Sequence, residues 1–181
     1  MTESIILKKG QHLVFCDEEF EFFETIASRK IEAKLRAGLS IANYGFQVTS
    51  LEKETMSILA EVAFSRMMRL DDPYPDDLIN NFFADFEIIG NTIDVKATRS
   101  KFPSISIPLE KAFKRHADYF VLMRQSSTTC FTFVGSIHKD ELIQIDNISQ
   151  PPGFTNKIYS SVNLTNLELK CIVKNQTLEC E

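Results

Sequence analysis

The sequence predicts an α/β fold in which a mixed central sheet is flanked by helices, and three observations predict it. Asp17–Ala37 and Ser50–Leu70 each carry apolar residues at helical spacing. Phe83–Thr98 alternates apolar and charged residues around Gly90-Asn91, as a hairpin does. Tyr119–Met123 is a short apolar run after a further helical segment, the pattern of a core strand laid parallel to an earlier one. A chain of 181 residues and 20.7 kDa fits one domain with a sizeable core. The expected organisation is therefore a single domain over 1–181, with an N-terminal helical extension at about 1–48 and a β-rich tail at about 136–181.

In the first helix, Phe20, Phe23, Ile26, Ala27, Ile31 and Leu35 form the buried stripe. Asp17 is its expected cap, acids crowd its early turns, and Gly38 is its stop. Arg29, Lys30, Lys34 and Arg36 in its later half suit either a solvated face or an approach to a phosphate. Ser40–Val48 reads as a linker or irregular strand. Ser50 caps the second helix, whose apolar face is Met56, Leu59, Ala60, Ala63, Phe64 and Met67. Glu61 sits beside that face, either at its boundary or reaching over the sheet. Asp71–Asn80 is a loop by its Pro and Asp content, and Asp76 and Asp77 are its candidates for reaching a metal. Beyond the hairpin, SKFPSISIP leads into a helix from about Leu109 to His116, where a charged His116 favours the helix dipole. Cys130–Gly135 is the next strand, Lys139–Ile143 one helical turn and Gln150–Gly153 a turn. The remainder alternates weakly through Ile158, Val162, Leu167, Leu169, Ile172 and Leu178.

The hairpin carries the chemistry. Pairing Ile89 with Thr92 sets Glu87 opposite Asp94 and Asp85 opposite Lys96. With side chains alternating at period two, Asp85, Glu87, Asp94 and Lys96 share one face, and Phe86, Ile88, Ile93, Val95 and Ala97 share the other. The apolar face sets the register and gathers the charges as a consequence. Three carboxylates around one lysine repel unless something compensates, and a hard dication such as Mg²⁺ does so through oxygen ligands. The lysine then suits a developing oxyanion or a positioned water, as phosphodiester hydrolysis requires. The same pattern equally suits a solvated face, with Lys96 and Asp85 paired across strands for about 0.2–1 kcal/mol.

The formal charge of −5 argues against a passive nucleic-acid coat. Locally, however, Lys96, Arg99, Lys101, Lys111, Lys114 and Arg115 meet only Glu110, and this stretch is the candidate nucleic-acid contact. The start MTESIILKKG lacks the order of a signal peptide, and no run approaches ~18 apolar residues. An intracellular, cytoplasmic location is expected, in a bacterium or in the host of a phage, with no membrane partner. Cys16, Cys130, Cys171 and Cys180 include no CxxC, so reduced thiols are expected.

The order helix, hairpin with D-x(8)-D-x-K, helix, strand resembles the PD-(D/E)XK nuclease superfamily, the restriction-endonuclease-like fold. The matching residues are Asp85 and Asp94-Val95-Lys96, with Glu61 in LAEVAF looking like the glutamate that many members carry on the preceding helix. IDVKAT followed by a helix and ADYF is similar to small phage and bacterial nucleases of this group. The resemblance covers about Ser50 to Gly135. It implies Asp85, Asp94, Lys96 and Glu61 as catalytic residues. It also implies Mg²⁺, or Mn²⁺ in its place, held by Asp85, Asp94, Glu61 and the Val95 carbonyl, with no small organic cofactor.

The expected activity is metal-dependent endonucleolytic hydrolysis of DNA, with Arg99, Lys101, Lys111, Lys114 and Arg115 contacting nucleic acid. The alternatives are a catalytically silent nucleic-acid-binding or protein-interaction domain of the same fold, or a nuclease acting on RNA. Double-strand cleavage favours two sites related by a two-fold axis. A homodimer is thus expected, with the first helix or the tail burying an interface of roughly 1,000 Å² or more. The other possibility is that both segments complete a monomer.

Overall fold

The computed structural model describes residues 2–36, 50–71, 73, 85–109, 117–150 and 157–172. Strands β1 (Thr2–Leu7) and β2 (His12–Val14) precede helices α1 (Asp17–Arg36) and α2 (Ser50–Met67). The hairpin follows as β3 (Phe86–Ile88) and β4 (Asn91–Thr98), then β5 (Ile105–Pro108), β6 (Tyr119–Gln125) and β7 (Cys130–His138). A helical turn α3 (Lys139–Leu142), a 3-10 turn at Ile145–Asn147, and strands β8 (Ile148–Ser149), β9 (Ile158–Ser161) and β10 (Leu167–Ile172) complete the order.

The central sheet runs β2-β7-β6-β4-β3. β4 lies parallel to β6, as Tyr119–Met123 foretold, and the remaining pairs are antiparallel, so the sheet is mixed. Alternation along β4 and β6 sends Ile93, Val95, Val121 and Met123 to the face that packs on α2. Phe120 and Leu122 go to the opposite face, where Ile105, Ile107 and Tyr159 from the small sheet β5-β9-β8 cover them. Residues 99–118 make the crossover that parallel pairing demands.

Helix α2 is the centre of the molecule. Every residue from Ile58 to Ser65 is buried, because α1 lies on one side, the sheet on another, and Leu7, Leu167 and Leu169 of the β1–β10 ribbon close the core. The α1–α2 contact is also ionic. Lys30 and Lys34 meet Glu54 at 3.0 and 2.7 Å, and Arg66 meets Glu19 at 2.6 Å while stacking over Phe15. Burial works against the charge on Glu54, but Lys34 and Lys30 outweigh it and hold the carboxyl below its ordinary range. These lysines serve the helix pair.

Several expectations change here. Asp17 is the first helical residue, and the cap comes from Glu19, whose carboxylate accepts from the Cys16 N–H at 3.0 Å. Leu35 and Phe22 on α1 are exposed, so the buried stripe is confined to Phe23, Ile26 and Ala27. α2 ends at Met67, and Arg69 turns the chain with φ 54°. The segment read as a helical extension opens with β1 and β2, and SKFPSISIP contains β5. Ala37, Gly38, Ser40–Val48, Asp76, Asp77, residues 110–116 and residues 151–156 lie outside the described residues, as does the tail beyond Ile172. Cys16 and Cys130 are free thiols, and among the described residues no helix is long and apolar enough to cross a membrane.

One glycine holds two layers together. The β6–β7 register shifts between Leu122 and Met123, opposite Gly135, whose φ of 149° is open chiefly to glycine. A Cβ there would stand 2.7 Å from Leu164 Cβ and 3.0 Å from the Thr165 carbonyl, which is bridged to Ser136. Gly135→Ala is expected to destabilise the protein by about 2–4 kcal/mol in urea titration, combining strain with overpacking. Gly10→Ala, where nothing lies within 4 Å, serves as the strain-only control.

Candidate functional site

The turn between β3 and β4 is made by Ile89 and Gly90, with φ of 44° and 77°, and Ile88 pairs with Asn91. Both central residues have the positive φ of a type I′ hairpin. The Asn91 side chain braces the turn through the Ile88 and Ile89 carbonyls at 3.4 Å. The expected register, Ile89 against Thr92, is therefore displaced by two residues. A two-residue slip preserves the faces, so the apolar side still packs inward, with Phe86 against Phe64 at 5.1 Å between ring centroids. What changes is the pairing of charges. Glu87 lies opposite Thr92 and is exposed, not opposite Asp94. Carried one residue further, the same register puts Asp85 across from Asp94 rather than Lys96.

At Asp85 the chain enters β3. Its N–H donates to the Ile93 carbonyl at 2.9 Å, and its carboxylate accepts from the Val95 N–H at 2.6 Å. Asp94, 6% exposed, takes the Lys96 ammonium at 2.5 Å. Glu61 is also buried, on α2, and accepts from the Ser57 hydroxyl one turn earlier at 3.2 Å. The Asp85 residue keeps partial exposure, but its carboxyl is shielded from water. That desolvation is the main cause pushing its pKa up to about 8, and the negative charges of Glu61 and Asp94 add to it. Lys96 and the Val95 N–H pull the other way without prevailing. The four residues singled out as catalytic thus act on one another. Among the described residues, no three His, Cys, Asp or Glu side chains form a ready ligand set for a metal ion.

Of the basic stretch, Lys101 is exposed beside this strand end. Arg99 is engaged, its Nε donating to Gln125 Oε1 at 2.5 Å with Glu52 3.7 Å from the guanidinium. Lys111, Lys114 and Arg115 lie outside the described residues, as does His116.

Sequence reasoning missed three polar residues, at the two ends of the β4–β6 pair and on α2. Asp118 accepts from both the Thr92 N–H and hydroxyl at 2.8 Å, bonds that hold its carboxyl below the usual range and clamp the start of β4 to β6. The ADYF segment contained it, but nothing in one strand announces a partner on another. Gln125 closes β6 beside Arg99. Thr55, 3% exposed on α2, has an Oγ1 without a hydrogen-bond partner among the described residues, a state that costs roughly 1–3 kcal/mol.

No family model matches the chain, and the searches of curated proteins and of solved structures likewise return no match.

Asp85 makes stability depend on pH with a definite sign. Its folded pKa of about 8 stands well above the ordinary carboxylate range, so the folded state binds the proton more tightly. The favourable contribution is complete below the unfolded value and is lost as pH rises through the folded one. In EDTA, the wild type is expected to lose stability steadily between about pH 5 and 8.5. Asp85→Asn keeps an acceptor for the Val95 N–H without the charge. It is expected to flatten that slope and to be the more stable protein at pH 8.5, by on the order of 3 kcal/mol in urea titration. Parallel pH profiles would refute this assignment.

Proposed function

We propose that this chain is a Mg²⁺-dependent endonuclease of the PD-(D/E)XK type that hydrolyses phosphodiester bonds in DNA. One observation carries the reading: Asp85 feels the charges of Glu61, Asp94 and Lys96, and burial together with the two like charges drives its carboxyl to about 8, while Lys96 pairs with Asp94. Carboxylates kept in mutual repulsion at a dry site are commoner at functional sites than in structural cores. The mixed sheet flanked by helices agrees with the restriction-endonuclease-like architecture.

The donor chemistry suits a hard dication. Asp85, Asp94, Glu61 and the Val95 carbonyl offer only oxygen ligands, and they would hold Mg²⁺ or Mn²⁺. When bound, such an ion polarises the phosphate and supplies a nucleophilic water near neutral pH. The protein's own groups do the rest. The Val95 N–H fixes the Asp85 carboxyl, and the Ser57 hydroxyl does the same for Glu61. Lys96, its side chain 30% exposed, presents an ammonium to a phosphate oxygen and neutralises charge developing there. Lys101 and Arg99 continue the positive line along the strand end, where the backbone of a nucleic acid runs.

A second reading has its own support. Lys96 lies on Asp94, the Val95 N–H lies on Asp85, and among the described residues no ligand set stands ready. These contacts favour a silent nucleic-acid-binding domain, in which the ammonium takes the place of the cation.

The two readings part on a plasmid. With Mg²⁺ or Mn²⁺ the wild type is expected to nick or linearise supercoiled DNA, and EDTA to stop it. Asp94→Asn and Lys96→Ala are each expected to lose about 10³-fold or more while remaining folded. No cleavage of plasmid, linear or branched DNA would sink the deoxyribonuclease. Cleavage confined to RNA would move the substrate, and full activity in Asp94→Asn would sink the site. Double-strand cleavage further calls for a homodimer, and we assign its interface to α1, where Phe22 and Leu35 are exposed. Light scattering with target DNA is expected to give a protein mass near twice 20.7 kDa; an unchanged monomer mass would remove the dimer.

A further inference from the structure

We propose that the cavity at the carboxyl ends of β4 and β6 is a receptor for an unstacked nucleobase that carries an exocyclic amino group. It deepens the nuclease reading by giving the substrate strand a second point of attachment. Its first test does not depend on that reading.

The cavity measures about 480 Å³, within the range of small-ligand sites. Its position follows from topology. β4 and β6 are parallel neighbours, and ligands of α/β sheets gather beyond the carboxyl ends of such strands. Arg99 follows β4, Gln125 ends β6, and the first turns of α2 contribute Glu52, Thr55 and Met56. Six residues of helix separate Thr55 from Glu61, about 9 Å. Three residues of extended chain separate Arg99 from Lys96, about 10 Å. Both measures set the cavity roughly three stacked base steps from the carboxylates.

The lining selects the ligand. Phe20 and Met56 offer apolar, polarisable surface to a flat ring. The carboxylates of Glu24 and Glu52 accept from amino and ring N–H groups while repelling phosphate, so the anionic part of a nucleotide stays outside. They favour uracil less, because its single edge N–H is flanked by two carbonyls that the carboxylates repel. Arg99 is braced by Gln125, which in turn donates to the Thr128 carbonyl at 2.9 Å, leaving other guanidinium N–H groups for a ring acceptor.

Thr55 is the second, independent observation. A helical threonine ordinarily bonds back to the preceding turn. Here the hydroxyl belongs to a residue that lines the cavity, is buried, and has no partner among the described residues; rotation about χ1 would turn it to a base edge that supplies one. A third feature fits. Phe102, three residues beyond Arg99, is 89% exposed on a loop braced by Ser100, whose hydroxyl bonds both the N–H and the carbonyl of Phe102 at 3.1 Å. A ring held out in this way can fill the gap left when a base leaves its stack.

The test is equilibrium dialysis of the full chain in EDTA against guanosine, adenosine, cytidine and uridine. Saturable binding is expected for amino-bearing nucleosides, at least about tenfold tighter than for uridine. Thr55→Val is expected to weaken binding about tenfold while leaving Tm unchanged or raised, since it removes a hydroxyl that has no partner. A threonine with a purely structural role would lower Tm and leave binding alone. A single strand containing 2-aminopurine, also in EDTA, tells the source of the base. A fluorescence change that Phe102→Ala abolishes assigns the cavity to a base within a strand, whereas nucleoside binding without it assigns the cavity to free nucleosides. Protein that binds nucleosides but never cleaves would refute the nuclease and leave the receptor standing. Absence of saturable binding up to about 10 mM, or binding untouched by Thr55→Val, overturns the proposal.

Discussion

The hydrogen bond from the Val95 N–H to the Asp85 carboxylate joins the geometry of the sheet to the charge of the site. The β3–β4 ladder runs from Phe86 to Ile88, and beyond it the Val95 amide finds its acceptor in a side chain. Asp85 provides it from the residue where the chain bends. The bond fixes the carboxyl beside Asp94 and Glu61, in surroundings that oppose ionisation. An asparagine or serine would have satisfied the same amide without that conflict. Perturbed carboxylates of this kind are commoner at functional sites than in structural cores.

Helix α2 shows how a core element can also carry chemistry. It is buried on all sides near its middle, and three of its buried residues are polar. Ser65 is satisfied within the helix by the Val62 carbonyl at 2.9 Å. Glu61 accepts from Ser57 and adds its charge to the surroundings of Asp85, and Thr55 is among the residues that line the cavity beyond β4. The rigid rise of the helix therefore sets the spacing between the two places, as β4 does from the other wall.

Much of this arrangement was legible from the sequence. The two long helices announced themselves by period, and the faces of the hairpin by alternation. That alternation identified the right companions for Asp85 and Asp94 while leaving the register open by two residues, because a period-two pattern is indifferent to a slip of two. Chemistry of the turn pointed to Gly90-Asn91, yet Ile89 takes the positive φ, an uncommon conformation for a β-branched residue that packing around Phe86 and Ile93 sustains. β1, β2 and β5 were hidden for another reason. Each is short, and each is a strand only by virtue of a distant partner: Cys130–Thr132 for β2, Ser161–Ile158 for β5. The Thr55 hydroxyl and the Arg99–Gln125 pair were unreadable because they depend on which side chains three separate elements bring to one place.

The ribbon of β1 and β10 has a consequence for how the molecule comes into being. Ser4 bonds Glu168 at 2.9 Å across 164 positions of chain, and Leu7 reaches the main core opposite Leu167. Contacts of such separation are the last that a growing or refolding chain can make. Until they form, the flank of α2 that Leu7, Leu167 and Leu169 cover stays wet. The core around that helix is therefore completed by residues from opposite ends of the described chain.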